Sequence, residues 1–249
     1  MKLGLTLSGG FVKGVAHAGL LKALEYKGIS PSFIAGSSAG ALVGVLYCAG
    51  FSPDEIKKLS KTISWKKLVK PTFKGGIFSL EGLRNKLLNL LGDIEFRDLK
   101  IPFGLSVVNL KTLKPEFITE GKVVDWVIAS CSASPVFVPC KIGRNYYVDG
   151  GIRNCLPAEM PKVFGCSINI CSNVNILPPK FNPNSIVDVA VRVSFASIIE
   201  NQEKRFQYCD ILVNHEIEGS RFDFDNVEKF FEIGFENGLK AIERLEEVL

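Results

Sequence analysis

The stretch Phe33-Ile34-Ala35-Gly36-Ser37-Ser38-Ala39-Gly40-Ala41 decides which fold this chain can form. It joins a short apolar run to an uncharged, helix-like run that continues to Ala49. The pattern G-x-S-x-G between them is typical of a sharp turn from a strand into a helix, where small flanking residues leave room for a central serine. The N-terminus of the following helix favours negative charge beside that serine. The stretch therefore predicts a strand, a turn and a helix, with Ser38 as a candidate nucleophile.

The residues before this stretch complete a β-α-β unit. Residues 2–8 have the pattern of a strand, residues 14–27 that of a helix, and residues 32–35 that of a second strand. A right-handed crossover makes the two strands parallel. The glycine turn, Gly9-Gly10-Phe11-Val12-Lys13-Gly14, and the Ser38 turn then follow strands at the same edge of the sheet. Because open α/β sheets bind ligands at this carboxyl edge, we expect both turns to contribute to one site.

The sequence of the glycine turn argues against nucleotide binding. A P-loop needs Lys and then Ser or Thr after its last glycine, whereas Gly14 is followed by Val15-Ala16. A dinucleotide-binding turn needs a glycine where this chain has Phe11. The turn instead offers backbone N–H groups beside Ser38, and two such donors can form an oxyanion hole for acyl transfer.

A serine nucleophile needs a base, and three residues are candidates. His17 shares a helical face with leucines, which favours packing beneath the glycine turn. His215 follows a predicted strand and is either an ordinary surface residue or the base of a Ser-His-Asp triad. Asp149 ends another predicted strand and is followed by Gly150 and Gly151, which allow the backbone to approach its neighbours closely. We therefore favour Asp149 as the base.

Length and composition favour one globular domain, residues 1–249. We also expect no metal and no cofactor. A chain of 249 residues with 47% hydrophobic side chains can bury a substantial core. The seven cysteines are scattered and contain no C-x-x-C pair, so we predict buried free thiols in a reducing compartment. No signal sequence is visible before the first strand, which favours a cytoplasmic location. The uncharged segment from Gly28 to Pro53 is interrupted by glycines and is predicted to be core rather than a membrane span.

The remaining sequence predicts further strands and helices without a second domain. Ser52 and Ser79 are expected to cap helices that end near Ser60 and Leu91. A strand at residues 101–110 is expected to pair with one at 116–119. The other predicted elements are a helix at 122–130, strands at 145–148, 166–171 and 211–214, and helical patterns over 185–208 and 226–249.

Several segments, taken together, resemble the patatin-like phospholipases. The matching motifs, in the same order and at similar spacing, are residues 7–14, residues 36–40, Ala133-Ser134-Pro135-Val136-Phe137 and Asp149-Gly150-Gly151. The resemblance covers residues 3 to about 160. It implies a three-layer α/β/α patatin-like fold with a mostly parallel central sheet, related to the α/β-hydrolases.

The resemblance also implies a serine acyl hydrolase that acts on lipid esters through an acyl-serine intermediate. Ser38 would be the nucleophile and Asp149 the general base and acid of a two-residue dyad. The amides of Gly9, Gly10 and Phe11 would form the oxyanion hole. Asp149 would need burial to raise its pKa, so that it can pass a proton to the leaving alcohol. The positions that complete the motifs are Lys13, Gly14, Gly36, Gly40, Gly150 and Gly151.

Phe11 departs from the family turn, Gly-Gly-Gly-x-Arg/Lys-Gly, which has a third glycine at this position. A phenylalanine does not readily adopt positive φ. Three interpretations stay open: the oxyanion hole is distorted, it relies on Gly9 and Gly10, or the Phe11 ring lies against an acyl chain. Lys13 either neutralises a phosphate or braces the turn. The departure leaves open a weakly active or inactive regulatory or binding protein. A second alternative keeps the nucleophile and changes the substrate, as in a thioesterase or peptidase.

A basic segment predicts contact with lipid. Seven lysines and no acidic residue lie between Ile56 and Leu80, whereas residues 216–249 hold ten acidic and four basic side chains. Basic and aromatic surfaces suit anionic headgroups, although an ordinary solvated helix and loop is an equally open interpretation. We expect a lipid ester or phospholipid substrate, a peripheral membrane contact and no nucleic-acid partner. The expected membrane-contact residues are Lys57, Lys58, Lys61, Trp65, Lys66, Lys67, Lys70 and Phe73.

Overall fold

A computed structural model of the protein describes residues 2–62, 68–72, 74–177, 182–218 and 224–248. Its strands, in chain order, are β1 (Leu3–Leu7), β2 (Phe33–Gly36), β3 (Lys70–Pro71), β4 (Phe78–Ser79), β5 (Phe103–Asn109), β6 (Lys114–Ile118), β7 (Cys140–Ile142), β8 (Asn145–Asp149), β9 (Ile168–Asn173) and β10 (Ile211–Asn214). The short strands β3 and β4 form a separate antiparallel ribbon, and the others form one sheet.

The helices of the described residues are, in chain order, α1 (Val15–Tyr26), α2 (Ala39–Ala49), α3 (Pro53–Thr62), α4 (Glu81–Leu91), α5 (Val123–Cys131), α6 (Gly151–Asn154), α7 (Glu159–Val163), α8 (Ile186–Glu203) and α9 (Val227–Val248). Seven of these helices correspond to predicted helical segments, whereas the short helices α6 and α7 were not predicted. The glycine turn runs into a 3-10 helix, Phe11–Gly14, that leads directly into α1.

The two predicted helix caps have different outcomes. Ser52 caps α3 as expected, because its hydroxyl accepts from the Glu55 N–H at 3.3 Å and its own N–H donates to the Glu55 carboxylate at 2.8 Å. This reciprocal arrangement is a capping box. Ser79 accepts from the Glu81 N–H at 3.2 Å, but Leu80 occupies the cap position of α4 and contributes no side-chain bond. The prediction for Ser79 was therefore wrong by one residue.

The sheet order is β10-β9-β1-β2-β5-β8-β7, and the first five strands are parallel. β5 is the strand around which the site is arranged. β6 pairs antiparallel with residues 105–109 of β5 and so occupies one side of it. β2 pairs with residues 103–105 and β8 with residues 107–109, so both must lie on the other side. β2 and β8 therefore approach each other end to end along the same side of β5.

The sheet is covered on both faces, as the alternation of side chains along β2 shows. Ile34 belongs to the main core with α1, α2 and α5, whereas Phe33 and Ala35 pack against Met160 of α7 on the opposite face. Successive side chains of a strand point to opposite faces, so each face needs its own cover. The result is the predicted three-layer α/β/α arrangement with a mostly parallel sheet.

The uncharged segment from Gly28 to Pro53 forms β2, the Ser38 turn and α2, and most of it is buried. This confirms its prediction as core. Among the helices that the structure describes, none combines the length and apolar character needed to cross a bilayer.

The cysteines depart from prediction at two positions. Cys171 of β9 and Cys209, after α8, form a disulfide, while Cys48, Cys131, Cys140, Cys155 and Cys166 are free and buried. The prediction of seven free thiols was therefore wrong for one pair. These two residues are 38 positions apart in sequence, and only the pairing of β10 with β9 draws them together.

Candidate active site

Ser38 lies on the predicted corner between β2 and α2. Its backbone has φ 52° and ψ −118°, a conformation that is strained for a residue with a side chain. The Ser38 N–H donates to the Ser130 hydroxyl at 2.9 Å, and that hydroxyl donates to the Ser106 carbonyl at 2.9 Å. The strained corner is thus tied to β5 and α5 through a side chain that the sequence gave no reason to single out.

Gly36 and Gly40 are required by close backbone contacts at this corner. A Cβ atom built on Gly40 would lie 2.2 Å from the Leu7 carbonyl oxygen, and one built on Gly36 would lie 2.6 Å from the Gly40 backbone. Side chains at these positions would separate α2 from the ends of β1 and β2. The two glycines therefore allow the N-terminus of α2 to pack directly over the sheet edge.

Asp149 is the last residue of β8, and the end of this strand brings it close to Ser38. It pairs with Val107 of β5, two residues beyond Leu105, which pairs with Gly36 at the end of β2. β8 runs antiparallel to β5, so Asp149 approaches the Ser38 turn from the direction opposite to β2. The sequence predicted the place of Asp149 at this edge but not the direction from which its strand arrives.

Asp149 is buried at the end of β8, where its carboxyl group accepts a hydrogen bond from the Gly151 N–H. Its residue surface is 6% exposed. Burial raises the pKa of Asp149 to about 6, against hydrogen bonds from the Ser38 side chain and the Gly151 N–H that lower it. The Gly151 N–H donates to Oδ1 at 2.8 Å. A Cβ atom on Gly150 would lie 2.2 Å from the Ser106 hydroxyl, so this glycine lets the backbone pass β5 closely.

The glycine turn lies beside Ser38, as predicted. A Cβ atom on Gly9 would be 3.3 Å from the Ser38 Cβ. However, the Gly9 N–H donates to the Cys155 carbonyl at 3.1 Å, so it is already committed to a structural bond. The Gly10 N–H has no acceptor among the described residues. The expected set of three donors therefore loses Gly9 and keeps Gly10, while a donor role for the Phe11 N–H stays a prediction.

Phe11 adopts the conformation that its residue type disfavours. Its φ is 54°, so the turn keeps a left-handed geometry although a glycine is missing. The expectation that phenylalanine would resist positive φ was wrong here. The phenyl ring lines an apolar cavity together with Gly14 and Ala39, which favours the third of the open interpretations, a ring that lies against a bound apolar group.

Ala39 supplies a further N–H that the sequence analysis missed. It is the first residue of α2, and its N–H has no partner in the part of the chain that the structure describes. The first N–H groups of a helix lack intrahelical acceptors. In serine hydrolases with this kind of turn, the N–H after the nucleophile is one of the oxyanion donors. That rule, applied to the G-x-S-x-G pattern, would have identified Ala39.

Lys13 is buried and braces the turn. Its ammonium group donates to the Ile217 carbonyl at 2.7 Å, and the residue is 4% exposed. This contact favours the bracing interpretation, because the ammonium group is buried and bound to a backbone carbonyl of the protein. Gly14 is equally constrained, since a Cβ atom there would lie 2.6 Å from the Ala39 Cβ.

Both histidines are buried and face each other rather than Ser38. His17 Nε2 contacts the Ser8 carbonyl at 2.9 Å, and its Nδ1 contacts the Ser172 hydroxyl at 2.7 Å. His215 Nε2 contacts the same hydroxyl at 2.8 Å, and its Nδ1 contacts the Asn237 amide at 3.3 Å. Burial lowers the pKa of His17 to about 4 and that of His215 to about 3. His17 packs beneath the glycine turn as predicted, and both ring nitrogens of His215 are occupied by residues other than Ser38.

The lining of the apolar cavity includes Ala39, the residue after Ser38. Ala39, Leu42, Val43 and Leu46 line it along one face of α2. Leu46 is seven residues after Ala39, so at 1.5 Å per residue the two ends of this lining are about 10 Å apart along the helix axis. Ile56 of α3 and Leu87 of α4 lie among the residues that form the remaining walls. The cavity therefore extends along α2 from the candidate nucleophile, with a lining suited to hydrocarbon.

The basic segment is only partly available to a membrane. Lys57 and Lys61 of α3 both form ion pairs with Glu228 of α9, and the Lys57 ammonium lies 4.3 Å from the centre of the Phe231 ring. Lys58 and Lys70 are exposed. Trp65, Lys66, Lys67 and Phe73 lie outside the described residues. The membrane contact stays a prediction, with two of its lysines already engaged.

Comparison with known families identifies the arrangement. The family model described as patatin-like phospholipase matches residues 5–162, more than half of the chain and all the motifs of the site. The chain belongs to this family. The resemblance inferred from the motifs is thereby confirmed.

The chain is also similar in sequence to curated relatives and in fold to a solved structure. Over 98% of its length, the chain is 24% identical to lysophospholipase nte1 of Aspergillus fumigatus, and over 95% it is 24% identical to patatin-like phospholipase domain-containing protein 7 of Rattus norvegicus. It spans only 18% and 20% of those two proteins. The crystal structure of VipD from Legionella pneumophila superposes with a TM-score of 0.65 at 14% identity, covering 98% of this chain and 66% of VipD. The fold is therefore shared well beyond recognisable sequence similarity.

Proposed function

We propose that this patatin-like protein is a lipid acyl hydrolase in which Ser38 and Asp149 form a catalytic dyad. The observation that carries the proposal is the buried Asp149 carboxyl group beside the Ser38 side chain, which favours the ionised form of the carboxyl group. An apolar cavity lined by Ala39, the next residue after Ser38, lies alongside. A nucleophile, a base of suitable pKa and an acyl-compatible cavity are thus brought together. Both histidines are engaged elsewhere, which favours a dyad over a triad.

In the first step, the ionised Asp149 accepts the proton of the Ser38 hydroxyl as the serine oxygen attacks the acyl carbonyl carbon. A carboxylate of ordinary pKa is a poor base for this task. The raised pKa of about 6 improves proton transfer while leaving most of the group ionised at neutral pH. The positive end of α2 points at the same atoms and favours the developing negative charge.

The tetrahedral oxygen would be stabilised by backbone N–H groups. Gly10 and Ala39 are the donors we assign, because the Gly9 N–H is engaged with the Cys155 carbonyl. Removing one donor of this kind typically costs a factor of about 10² to 10³ in kcat. As the intermediate collapses, protonated Asp149 transfers its proton to the leaving alcohol, and the acyl group stays on Ser38. Asp149 then accepts a proton from water as the water oxygen attacks the acyl carbonyl carbon. When the second intermediate collapses, Asp149 returns this proton to the Ser38 oxygen and the fatty acid is released.

The lining of the cavity favours an ester of a lipid over a peptide. The cavity offers aliphatic side chains along α2 and no series of exposed polar groups with which to pair a peptide backbone. Two curated relatives are named as a lysophospholipase and a patatin-like phospholipase protein, in agreement with this preference. We therefore propose single-chain glycerophospholipids and related acyl esters as the substrate class.

Labelling with a fluorophosphonate tests the dyad. We expect wild-type protein to label at Ser38 and to hydrolyse a lysophospholipid, and Ser38→Ala to do neither. Asp149→Asn should remain folded and label at least a hundredfold more slowly, because the base is replaced by a neutral isostere. His215→Gln should label at a rate near that of wild type once its folding has been verified.

Three results would overturn the proposal. Equal labelling of wild type and Ser38→Ala would place the nucleophile elsewhere. Loss of labelling in folded His215→Gln, with Asp149→Asn unaffected, would replace the dyad by a histidine mechanism. Folded wild type that neither labels nor cleaves any acyl ester would favour a regulatory or binding role for the same fold.

A further inference from the structure

Phe11 has a backbone conformation that is unfavourable for its residue type, at a position of the turn where the family has a glycine. Its φ of 54° lies in the left-handed region, where a Cβ atom is disfavoured and glycine is not. In the family pattern this position of the turn is a glycine. A residue that keeps such a conformation at a cost must be stabilised by what its side chain contacts, so the place of the ring is informative.

The 3-10 turn that carries Phe11 lies against the start of α2, the helix that follows Ser38. Phe11 shares the cavity lining with Gly14 and Ala39 and packs against the main core. Gly14 and Ala39 are themselves in close contact, because a Cβ atom on Gly14 would lie 2.6 Å from that of Ala39. The 3-10 turn that carries Phe11 therefore abuts the first residue of α2. Leu46, by contrast, marks a point about 10 Å further along the helix.

The ring also differs in character from the walls around it. The cavity face of α2 is formed by Leu42, Val43 and Leu46, aliphatic side chains that line the path of a chain. A phenyl group is flat, and it has only two side-chain torsions. It is therefore suited to limiting the width of the cavity at one point, whereas the α2 side chains limit its length.

We infer that the Phe11 ring forms the wall of the acyl site beside the scissile carbonyl and selects unbranched over α-branched acyl chains. This inference rests on the proposed function, since it assumes that an acyl group on Ser38 extends into the cavity. A methyl branch on the carbon next to the carbonyl would meet the ring. A straight chain passes beside it and continues along α2.

Two isomeric esters provide the test. We compare kcat/KM for the p-nitrophenyl esters of octanoic acid and of 2-methylheptanoic acid, which have the same composition and leaving group. The ratio of branched to linear kcat/KM should rise about tenfold or more in Phe11→Ala, the range expected when a pocket gains room for one methyl group. Taking the change in this ratio removes the intrinsic difference in reactivity between the esters.

Three variants separate the ring from other effects. Phe11→Gly removes the ring and also relieves the positive φ, so it should shift the ratio as much as Phe11→Ala does. Phe11→Leu keeps an apolar side chain without the flat ring, and it should shift the ratio by a smaller factor. Leu46→Ala enlarges the distal end of the same cavity, so it should alter the preference between short and long linear esters but leave the branched-to-linear ratio near that of wild type.

Binding in a Ser38→Ala background distinguishes failure of this inference from failure of the proposed function. Calorimetry with the two free acids should show a preference for the linear acid that Phe11→Ala diminishes. If wild type is inactive but this preference is found, the proposed Ser38–Asp149 dyad is rejected, whereas the inferred role of the Phe11 ring is supported. If wild type is active and the ratio is unchanged in Phe11→Ala, or is shifted equally by Leu46→Ala, the wall is overturned. Thermal unfolding checks each variant, and Phe11→Leu carries the test if Phe11→Ala does not fold.

Discussion

Asp149 is subject to two opposing influences at the residue scale. Burial favours its neutral form, whereas hydrogen bonds from the Ser38 side chain and the Gly151 N–H favour the ionised form, and burial prevails. The resulting pKa of about 6 lies above the ordinary value of 3.8. The same residue therefore governs how both activity and stability respond to pH.

Activity should depend on the ionised form of Asp149. With an uncharged p-nitrophenyl ester, kcat/KM reports the titration of the free enzyme. We expect kcat/KM to be constant above pH 7, to reach half its maximum near pH 6, and to fall about tenfold per pH unit below that, because protonated Asp149 cannot accept the Ser38 proton. A profile that stays flat from pH 5 to pH 7 in folded protein would contradict this assignment.

Stability should change in the opposite direction. Because the folded-state pKa of Asp149 is raised, its contribution is fully present below about pH 4 and is lost as the pH rises through 6. A shift of about two pKa units corresponds to about 3 kcal/mol. Relative to Asp149→Asn, the free energy of unfolding of wild type should therefore fall by up to about 3 kcal/mol between pH 4 and pH 7, measured by urea denaturation.

The comparison with Asp149→Asn isolates this residue. His17 and His215, whose pKa values are lowered by burial, lose stability as the pH falls below their unfolded value of 6.5. That loss occurs in both proteins and cancels in the difference. Any constant effect of the amide also cancels, since only the pH dependence is compared. Parallel pH profiles for the two proteins would show that Asp149 titrates normally.

At the scale of elements, a directed chain of hydrogen bonds links α9 to the end of β1. The Ser8 carbonyl can only accept, so His17 Nε2 carries a proton and His17 Nδ1 accepts from the Ser172 hydroxyl. That hydroxyl then accepts from His215 Nε2, and His215 Nδ1 accepts from the Asn237 amide. Each buried polar atom of both rings is satisfied in this one direction. The chain fixes the backbone of Ser8 immediately before the glycine turn.

Ser172→Ala should break this chain at its centre. It would leave one nitrogen of each buried ring without a partner, at a cost of about 1–3 kcal/mol per unsatisfied group. We expect a loss of about 2 kcal/mol or more in the free energy of unfolding and a slower rate of fluorophosphonate labelling, because the glycine turn loses its support. Chemical denaturation and labelling kinetics measure the two effects.

Ser172→Thr is the matched control, since it retains the hydroxyl group. It should recover most of the labelling rate even if the added methyl group lowers stability. An Ala variant as stable as wild type, or a Thr variant that labels no faster than Ala, would show that the hydroxyl does not support the turn.

At the scale of the whole molecule, the basic and acidic parts of the sequence face each other. Glu228 of α9 pairs with Lys61 and Lys57 of α3, and hydrogen bonds from these lysines, that of Lys61 first, lower the pKa of Glu228 to about 2. Segregation of charge along the chain is therefore partly neutralised in the folded protein. Two of the lysines predicted to meet a membrane, Lys57 and Lys61, are held by α9, which carries six of the ten acidic residues of 216–249.

Glu228→Gln should release Lys57 and Lys61. If the basic segment meets lipid, this variant should bind vesicles containing phosphatidylserine more tightly than wild type does, and the gain should vanish at high salt because it is electrostatic. Vesicle sedimentation at two salt concentrations measures the change.

Glu243→Gln provides the matched control for that experiment. Glu243 is exposed on the same helix, forms no ion pair with a described residue, and its substitution changes the net charge by the same amount. It should therefore increase binding less than Glu228→Gln does. Equal gains in the two variants would mean that overall charge, and not the two freed lysines, determines the binding.

Prediction from sequence succeeded for the elements that carry the site, but it missed the short elements β3, β4, β7, α6 and α7. The strand, turn and helix around Ser38 depend on residues adjacent in sequence, and the structure has them within one or two positions. The place of Asp149 at the end of β8 followed in the same way. The direction of β8 did not, because pairing on a given side of β5 depends on β6, a strand more than 25 residues earlier in the chain. The extent of the chain as one domain and its cytoplasmic location stay predictions.

The amino-acid sequence by itself determined the serine turn, the glycine turn, the strand end at Asp149 and the family, because backbone conformation and hydrophobic periodicity are local properties. The tertiary structure decided that the Gly9 N–H donates to the Cys155 carbonyl and that the Lys13 ammonium group donates to the Ile217 carbonyl. It also brought His215 next to His17 and joined Cys171 to Cys209 in a disulfide. It also directed the Phe11 ring into the cavity beside Ser38. These outcomes depend on strand register and packing between distant segments, and neither is encoded in any single stretch of the chain.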